Sequence, residues 1–159
     1  MNTDDLRPNV SIRDATPDDR EIIADFNRRM ARETESRDLE PAIIGSGVAA
    51  LLGDARKGRY WIATVDGRVA GQIMVTYEWS DWRNGMLWWI QSVYVHPDFR
   101  RMGVFTALYR HVERLARADR EACGLRLYVE ERNTRAQATY RSLGMADPRY
   151  NVMESIFSD

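Results

Sequence analysis

Ile22, Ile23, Phe26 and Met30 recur three and four residues apart, which predicts an amphipathic helix. Thr16 is a good N-cap for it, Pro17 suits the first helical position, and Asp18 and Asp19 suit the positive end of the helix dipole. A short strand is expected just before, from Val10 to Arg13. A second helix is expected to start near Pro41 and to stop near Gly53 or Gly58. From Tyr60 the period shortens to two: YWIATV, an Asp66-Gly67 turn and VAGQIMVTYEW read together as a β-hairpin. After the polar loop SDWRNG, a further strand spans Met86 to Val95. Val104, Leu108, Val112 and Leu115 then line one helix face, and Leu125 to Val129 alternates as a strand. Asn133 caps a helix carrying Ala136, Tyr140 and Leu143, which Gly144 terminates, and Tyr150 to Ile156 reads as a last strand.

The order is strand, two helices, three strands, helix, strand, helix, strand. It predicts one α/β domain over residues 1–159, with an ordered core of about residues 10–157 and a mixed, mostly antiparallel sheet flanked by helices. Hydrophobic residues make up 44% and charged residues 30%, a globular balance. With 23 basic and 24 acidic residues, the net charge of −1 offers no bulk attraction to nucleic acid or an anionic membrane. No apolar run reaches the ~18 residues that a membrane span needs. The opening MNTDDLRPN lacks the apolar core of a signal peptide, so a cytoplasmic location is expected. A single cysteine, Cys123, excludes an internal disulfide and reads as a small, semi-buried residue; two histidines, His96 and His111, without ligand spacing give no metal site.

The junction VHPDFRRMGVF carries the first chemical signal. A helix N-terminus presents backbone N–H groups and the positive end of a dipole, Gly103 lets a ligand approach the backbone, and Arg100 and Arg101 add donors suited to phosphate. Read alone, the segment is equally a solvated turn. A second segment, NTRAQATYRSLGM, sets Asn133, Ala136, Tyr140 and Gly144 at spacings of three, four and four.

Together the two segments resemble the GNAT superfamily of acyl-CoA-dependent N-acyltransferases. The family's loop, Arg/Gln-x-x-Gly-x-Gly/Ala, fits at Arg100 and Gly103 and departs at Phe105, where a small residue is usual. Its later segment, Asn-x-x-Ala-x-x-x-Tyr-x-x-x-Gly-Phe/Met, fits Asn133 through Met145 throughout.

The resemblance implies acetyl-CoA as cofactor and direct acetyl transfer to a primary amine of a small molecule or peptide. It implies a splayed pair of central strands whose backbone at Val93, Tyr94 and Val95 holds the pantetheine arm. Arg100, Arg101, Met102, Gly103, Val104 and Phe105 would hold the pyrophosphate, with Asn133 nearby, and Tyr140 would act as general acid toward the leaving thiolate. Some relatives carry a glutamate base five residues before that asparagine; here the position is Tyr128. Glu33, Glu35, Glu78 or a water chain are the remaining base candidates. Glu33, Glu35, Trp79 and Trp89 are the expected acceptor-site residues, in a region that the first two helices wall in this family. Alternation puts Trp88 and Trp89 on opposite sheet faces, and an outward indole could equally bury a homodimer contact. The alternatives are an acyl-CoA-binding domain without turnover, or transfer of another acyl group.

Overall fold

The computed structural model describes residues 8–157, and its elements follow the hydrophobic pattern. The first seven residues, which include most of the segment read as lacking a signal-peptide core, lie outside the described residues. The chain divides into two units, one through Leu127 and one from Tyr128 onward.

The first unit holds β1 (Val10–Asp14), α1 (Arg20–Glu35), α2 (Pro41–Leu52), β2 (Arg59–Val65), β3 (Arg68–Ser80), β4 (Gly85–Val95), α3 (Val104–Ala118) and β5 (Ala122–Leu127). The helix expected from Thr16 opens as a 3-10 turn, Pro17–Asp19, before α1 proper. Asp19 fixes that entry. It is 7% exposed, accepts the Thr16 amide at 2.8 Å, and takes a two-pronged bond from Arg13 at 2.7 and 2.8 Å. The hydrogen bonds from Arg13, aided by Thr16, outweigh burial and hold its carboxyl below the usual carboxylate range.

The sheet order is β1-β2-β3-β4-β5, antiparallel except for the β4–β5 pair, which is parallel. One face carries Trp61 and Trp88, stacked at 6.3 Å, with His111 of α3 against Trp61. The other face packs Tyr60 and Ile62 against Ile23 of α1 and Val48 and Leu51 of α2. Within that layer Gln72, fully buried, donates to Asn27 of α1, which in turn donates to the Tyr60 hydroxyl. Trp88 and Trp89 do lie on opposite faces.

Two irregularities shape the sheet around β4. Gly71 on β3 leaves no room for a side chain, since a Cβ there would sit 2.6 Å from the Tyr94 carbonyl and 3.3 Å from Val104. Strands β3 and β4 and the start of α3 therefore converge at this point. In β4, Ile90 pairs with Val75 and Ser92 with Met74, so Gln91 is an extra residue, a β-bulge.

The second unit holds α4 (Thr134–Ser142). Three expectations from the sequence need correction. The strand expected over Leu125–Val129 instead spans Ala122–Leu127, because the ladder to β4 begins at Met86–Ala122 and ends at Ile90–Leu127, just before the bulge. The last strand, expected over Tyr150–Ile156, is not formed: residues 145–157 are neither helix nor strand, since no neighbouring strand among the described residues pairs with them. Cys123 is exposed rather than semi-buried, on the last strand of the sheet.

Candidate cofactor site and acceptor face

The β4 strand outruns its parallel partner. The ladder to β5 stops at Ile90, and Gln91–Val95 continue beside β3 alone. His96 donates its amide to the Ala70 carbonyl at 2.8 Å, so alternation turns the backbone groups of Tyr94 toward β3 and those of Val93 and Val95 away from it. Of the three backbone positions expected to hold a pantetheine arm, Val93 and Val95 thus face the unladdered edge. Tyr94 does not; its side chain enters the α1 layer and packs on Phe26 at 5.0 Å.

At the end of this edge the chain turns through a second 3-10 segment, Pro97–Phe99, where the His96 ring accepts the Asp98 amide. Arg101 and Gly103 both have positive φ, 65° and 80°, and Gly103 caps α3 from the left-handed region. A Cβ at Gly103 would meet nothing within 4 Å, so the glycine serves the dihedral and leaves open space beside the helix end. The first bond of α3 runs from the Ala107 amide to the Gly103 carbonyl, and the amides before it point out of the helix end. Val104 is buried, anchoring α3 to the sheet, while Arg101 and Met102 are exposed and Phe105 is half-buried. Donors, a dipole end and open space are the chemistry that a pyrophosphate needs, so the residues present fit this part of acetyl-CoA.

Arg100 is already engaged. Its Nε donates to the Val95 carbonyl at 3.0 Å and its Nη2 to Glu33 at 2.6 Å, while the Tyr94 hydroxyl donates to the other Glu33 oxygen at 3.0 Å. Partial desolvation raises the Glu33 pKa, but the bonds from Arg100 and Tyr94 and the nearby positive charges outweigh it, so the net shift is downward. A carboxylate so held is a poor proton acceptor and a good anchor. Glu35, at the last turn of α1, is exposed.

A polar patch lies on the α1–α2 face of the sheet, on its β3–β5 side. Glu78 of β3 accepts the Trp89 indole N–H of β4 and, on its other oxygen, Arg126 of β5 at 3.2 Å. Next to it Gln91 donates to Thr76 at 2.8 Å. Glu78 and Trp89 are therefore brought together, whereas Trp79 is 54% exposed at the end of β3. Arg126 escapes sequence reasoning, although a lone charge within an apolar strand is a signal for an ion pair. A recess of about 410 Å³ lies along the α1–α2 connection, lined by Asp38, Glu40, Ile43 and neighbours.

In the second unit, Asn133 accepts the Ala136 amide at 3.0 Å and so caps α4; Tyr140 lies half-buried on that helix. Tyr128, where some relatives carry a glutamate, is 59% exposed. Among the described residues no cluster of three or more His, Cys, Asp and Glu side chains could hold a metal, and no helix is long and apolar enough to cross a membrane.

A mixed five-stranded sheet with a parallel β4–β5 pair, an unladdered β4 edge and a helix start beside it defines an acyltransferase architecture. The model of the acetyltransferase (GNAT) family matches residues 20–145, and the chain belongs to that family. It is an acyltransferase, and acetyl-CoA is its cofactor. A solved structure of a possible acetyltransferase from Clostridium difficile 630 is 47% identical, with a TM-score of 0.89 over 94% of this chain and 99% of that one. The fold is also similar to that of an aminoglycoside N-acetyltransferase, AAC(6')-Iy, in complex with CoA (15% identity, TM-score 0.77, 94% and 95% covered). It is similar as well to a ribosomal-protein-alanine N-acetyltransferase from Brucella melitensis biovar Abortus 2308 (19% identity, TM-score 0.75, 94% and 100% covered). Among curated proteins, none matches the chain.

Proposed function

We propose that residues 1–159 act as one N-acetyltransferase domain that moves an acetyl group from acetyl-CoA to a primary amine of a small molecule or peptide, by direct attack in a ternary complex. The observation that carries this reading is the coincidence of the β4 edge and the α3 start: Val93 and Val95 end where Arg100–Val104 begin, so one continuous track offers backbone groups and then anion donors. Acetyl-CoA supplies an activated thioester. The chain's own residues do the rest: Val93 and Val95 bind the amide-bearing arm by backbone hydrogen bonds, and residues from Arg101 to Phe105 bind phosphate at the helix end. An edge N–H of β4 also steadies negative charge on the carbonyl oxygen as the amine attacks. Tyr140 donates a proton to the departing thiolate; a phenol with a reference pKa near ~10 holds that proton at neutral pH.

On the acceptor side, Glu33 is committed to Arg100 and Glu78 to Arg126 and the Trp89 indole, so a water chain takes the proton from the ammonium while Glu78 lends negative charge to the acceptor face. The neighbouring Trp89 supplies an aromatic wall. A cytoplasmic location and a homodimer complete this reading.

The test is calorimetry with acetyl-CoA, followed by thiol release across amines, amino acids, aminoglycosides and peptide N-termini. Micromolar binding and amine-dependent release are expected; no binding at millimolar cofactor would refute the reading. The exposed Tyr128 in place of a glutamate favours a second reading, an acyl-CoA-binding domain without turnover. Binding without release across the whole panel would select it.

A further inference from the structure

The polar patch around Glu78 lies where the sheet opens. Trp89 of β4 is in register with Arg126 of β5, and the ladder between these strands ends one residue later, at Ile90 and Leu127. Beyond that point begins the β4 edge proposed to hold the thioester. An amine that approaches this edge from the α1–α2 face meets Glu78, Trp89 and Arg126.

The Glu78–Arg126 pair reaches from β3 to β5 across the strand between them, and it stays open to solvent. The Arg126 side chain is 25% and the Glu78 side chain 45% exposed. A guanidinium carries several N–H donors, and Arg126 uses one of them, on Nη1, toward Glu78. Each carboxylate oxygen can accept more than one bond; Glu78 takes Arg126 on one oxygen and the Trp89 indole on the other. Donor capacity on the cation and acceptor capacity on the anion therefore stand side by side. The neighbouring Thr76 and Gln91 are neutral and bonded to each other, so the patch as a whole carries no net charge.

We propose that the acceptor is a free α-amino acid, with Arg126 binding its carboxylate and Glu78 its ammonium. The inference rests on the acetyl-transfer reading above and narrows its acceptor from amines at large to one class. An α-amino acid holds both charges on a single carbon, which suits a cation and an anion only 3.2 Å apart. The planar fork of Arg126 matches a carboxylate. A peptide N-terminus brings the ammonium without the carboxylate. An aminoglycoside brings further positive charge against Arg126, and like charges so placed are costly. In the reaction the ammonium gives a proton to the water chain, its nitrogen bonds the acetyl carbon, the carbon–sulfur bond breaks and the thiolate is protonated. The product keeps the carboxylate but has lost the ammonium, so its hold on Glu78 is gone and release is favoured.

The test measures thiol release by the unmodified chain with each common L-amino acid and with its α-amide, which keeps the ammonium and side chain and removes the carboxylate charge. For the best amino acid, kcat/KM should exceed that of its amide by about 10- to 100-fold, the factor that a hydrogen bond to a charged group carries, mostly through KM. Amides or aminoglycosides that match or exceed every amino acid would overturn the proposal and leave acetyl transfer standing. Thiol release with no compound at all would refute transfer and the proposal together. This comparison does not depend on any variant folding. In Arg126→Gln, with acetyl-CoA binding as the check on folding, the ratio of amino acid to amide should fall toward one, and Arg126→Lys should recover part of it. A ratio that persists in Arg126→Gln would return Arg126 to a clamp on Glu78 and overturn the proposal.

Discussion

The Glu33 carboxylate and the Arg100 guanidinium, 67 residues apart in the chain, meet at 2.6 Å. That contact ties the end of α1 to the loop at the start of α3, with the Tyr94 hydroxyl as a third member. The loop expected to grip phosphate is therefore held from the acceptor-side helices, not only from the sheet.

Glu33→Gln should weaken acetyl-CoA binding by loosening Arg100. Both side chains are nearly half exposed, so water screens the pair. Such pairs contribute up to about 1 kcal/mol, or up to about fivefold in Kd, which calorimetry can read. Tyr94→Phe should give a smaller change in the same direction. An unchanged Kd in both would leave Glu33 as a mere surface partner.

Asp19→Asn should lower stability at neutral pH by about 1.5–3 kcal/mol, the range for hydrogen bonds to a charged group. The direction of the pKa shift sets the sign with pH. The folded pKa of Asp19 lies below its unfolded value, so the native state favours the ionised form. Its contribution is fully present above the unfolded value of ~3.9 and is lost as pH falls toward and through the folded one. Thermal melts of the two proteins should differ clearly at pH 7 and converge as acid is added.

Two glycines beside the cofactor track should fail for different reasons. At Gly71 a methyl group would collide with the Tyr94 carbonyl, so Gly71→Ala should cost on the order of 1–3 kcal/mol and disturb the β4 edge. At Gly103 there is room but the dihedral is wrong, so Gly103→Ala should cost about 1–2 kcal/mol and shift the α3 start. Denaturant melts should detect both losses. A neutral Gly103→Ala would show that the left-handed turn is dispensable.

Tyr140→Phe should lower kcat by about 100-fold or more, the lower end for a positioned general acid, while the acetyl-CoA Kd changes little. Loss of affinity and kcat in parallel would return Tyr140 to a packing role.

Most helices were legible because each buries one stripe, and stripes at Ile23/Phe26 and Leu108/Val112 survive any detail of packing. The opposite orientation of Trp88 and Trp89 was legible for the same reason, from a period of two. The loop was legible from Arg100 and Gly103, since dihedral and charge are local properties. Three features were not. The Glu33–Arg100 bond joins residues far apart in the chain, and nothing local marks either as the other's partner. The limits of β5 depend on where β4 stops pairing, which is a property of two strands. Residues 150–157 are rich in strand-forming types, but pairing needs a neighbour that their own composition cannot reveal.

The extra residue at Gln91 acts as a phase correction. Counted strictly in twos, Trp89 and Tyr94 would fall on opposite faces of β4; with one residue inserted, both look toward α1 and α2. The same strand can then offer an indole to Glu78 and, five residues on, a phenol to Glu33. Gln91 is exposed and its identity is open to change, but its presence is not. Removing it would turn Tyr94 away from Phe26 and Glu33 while leaving the composition of the strand almost untouched. At this position the count of residues, rather than their kind, carries the information.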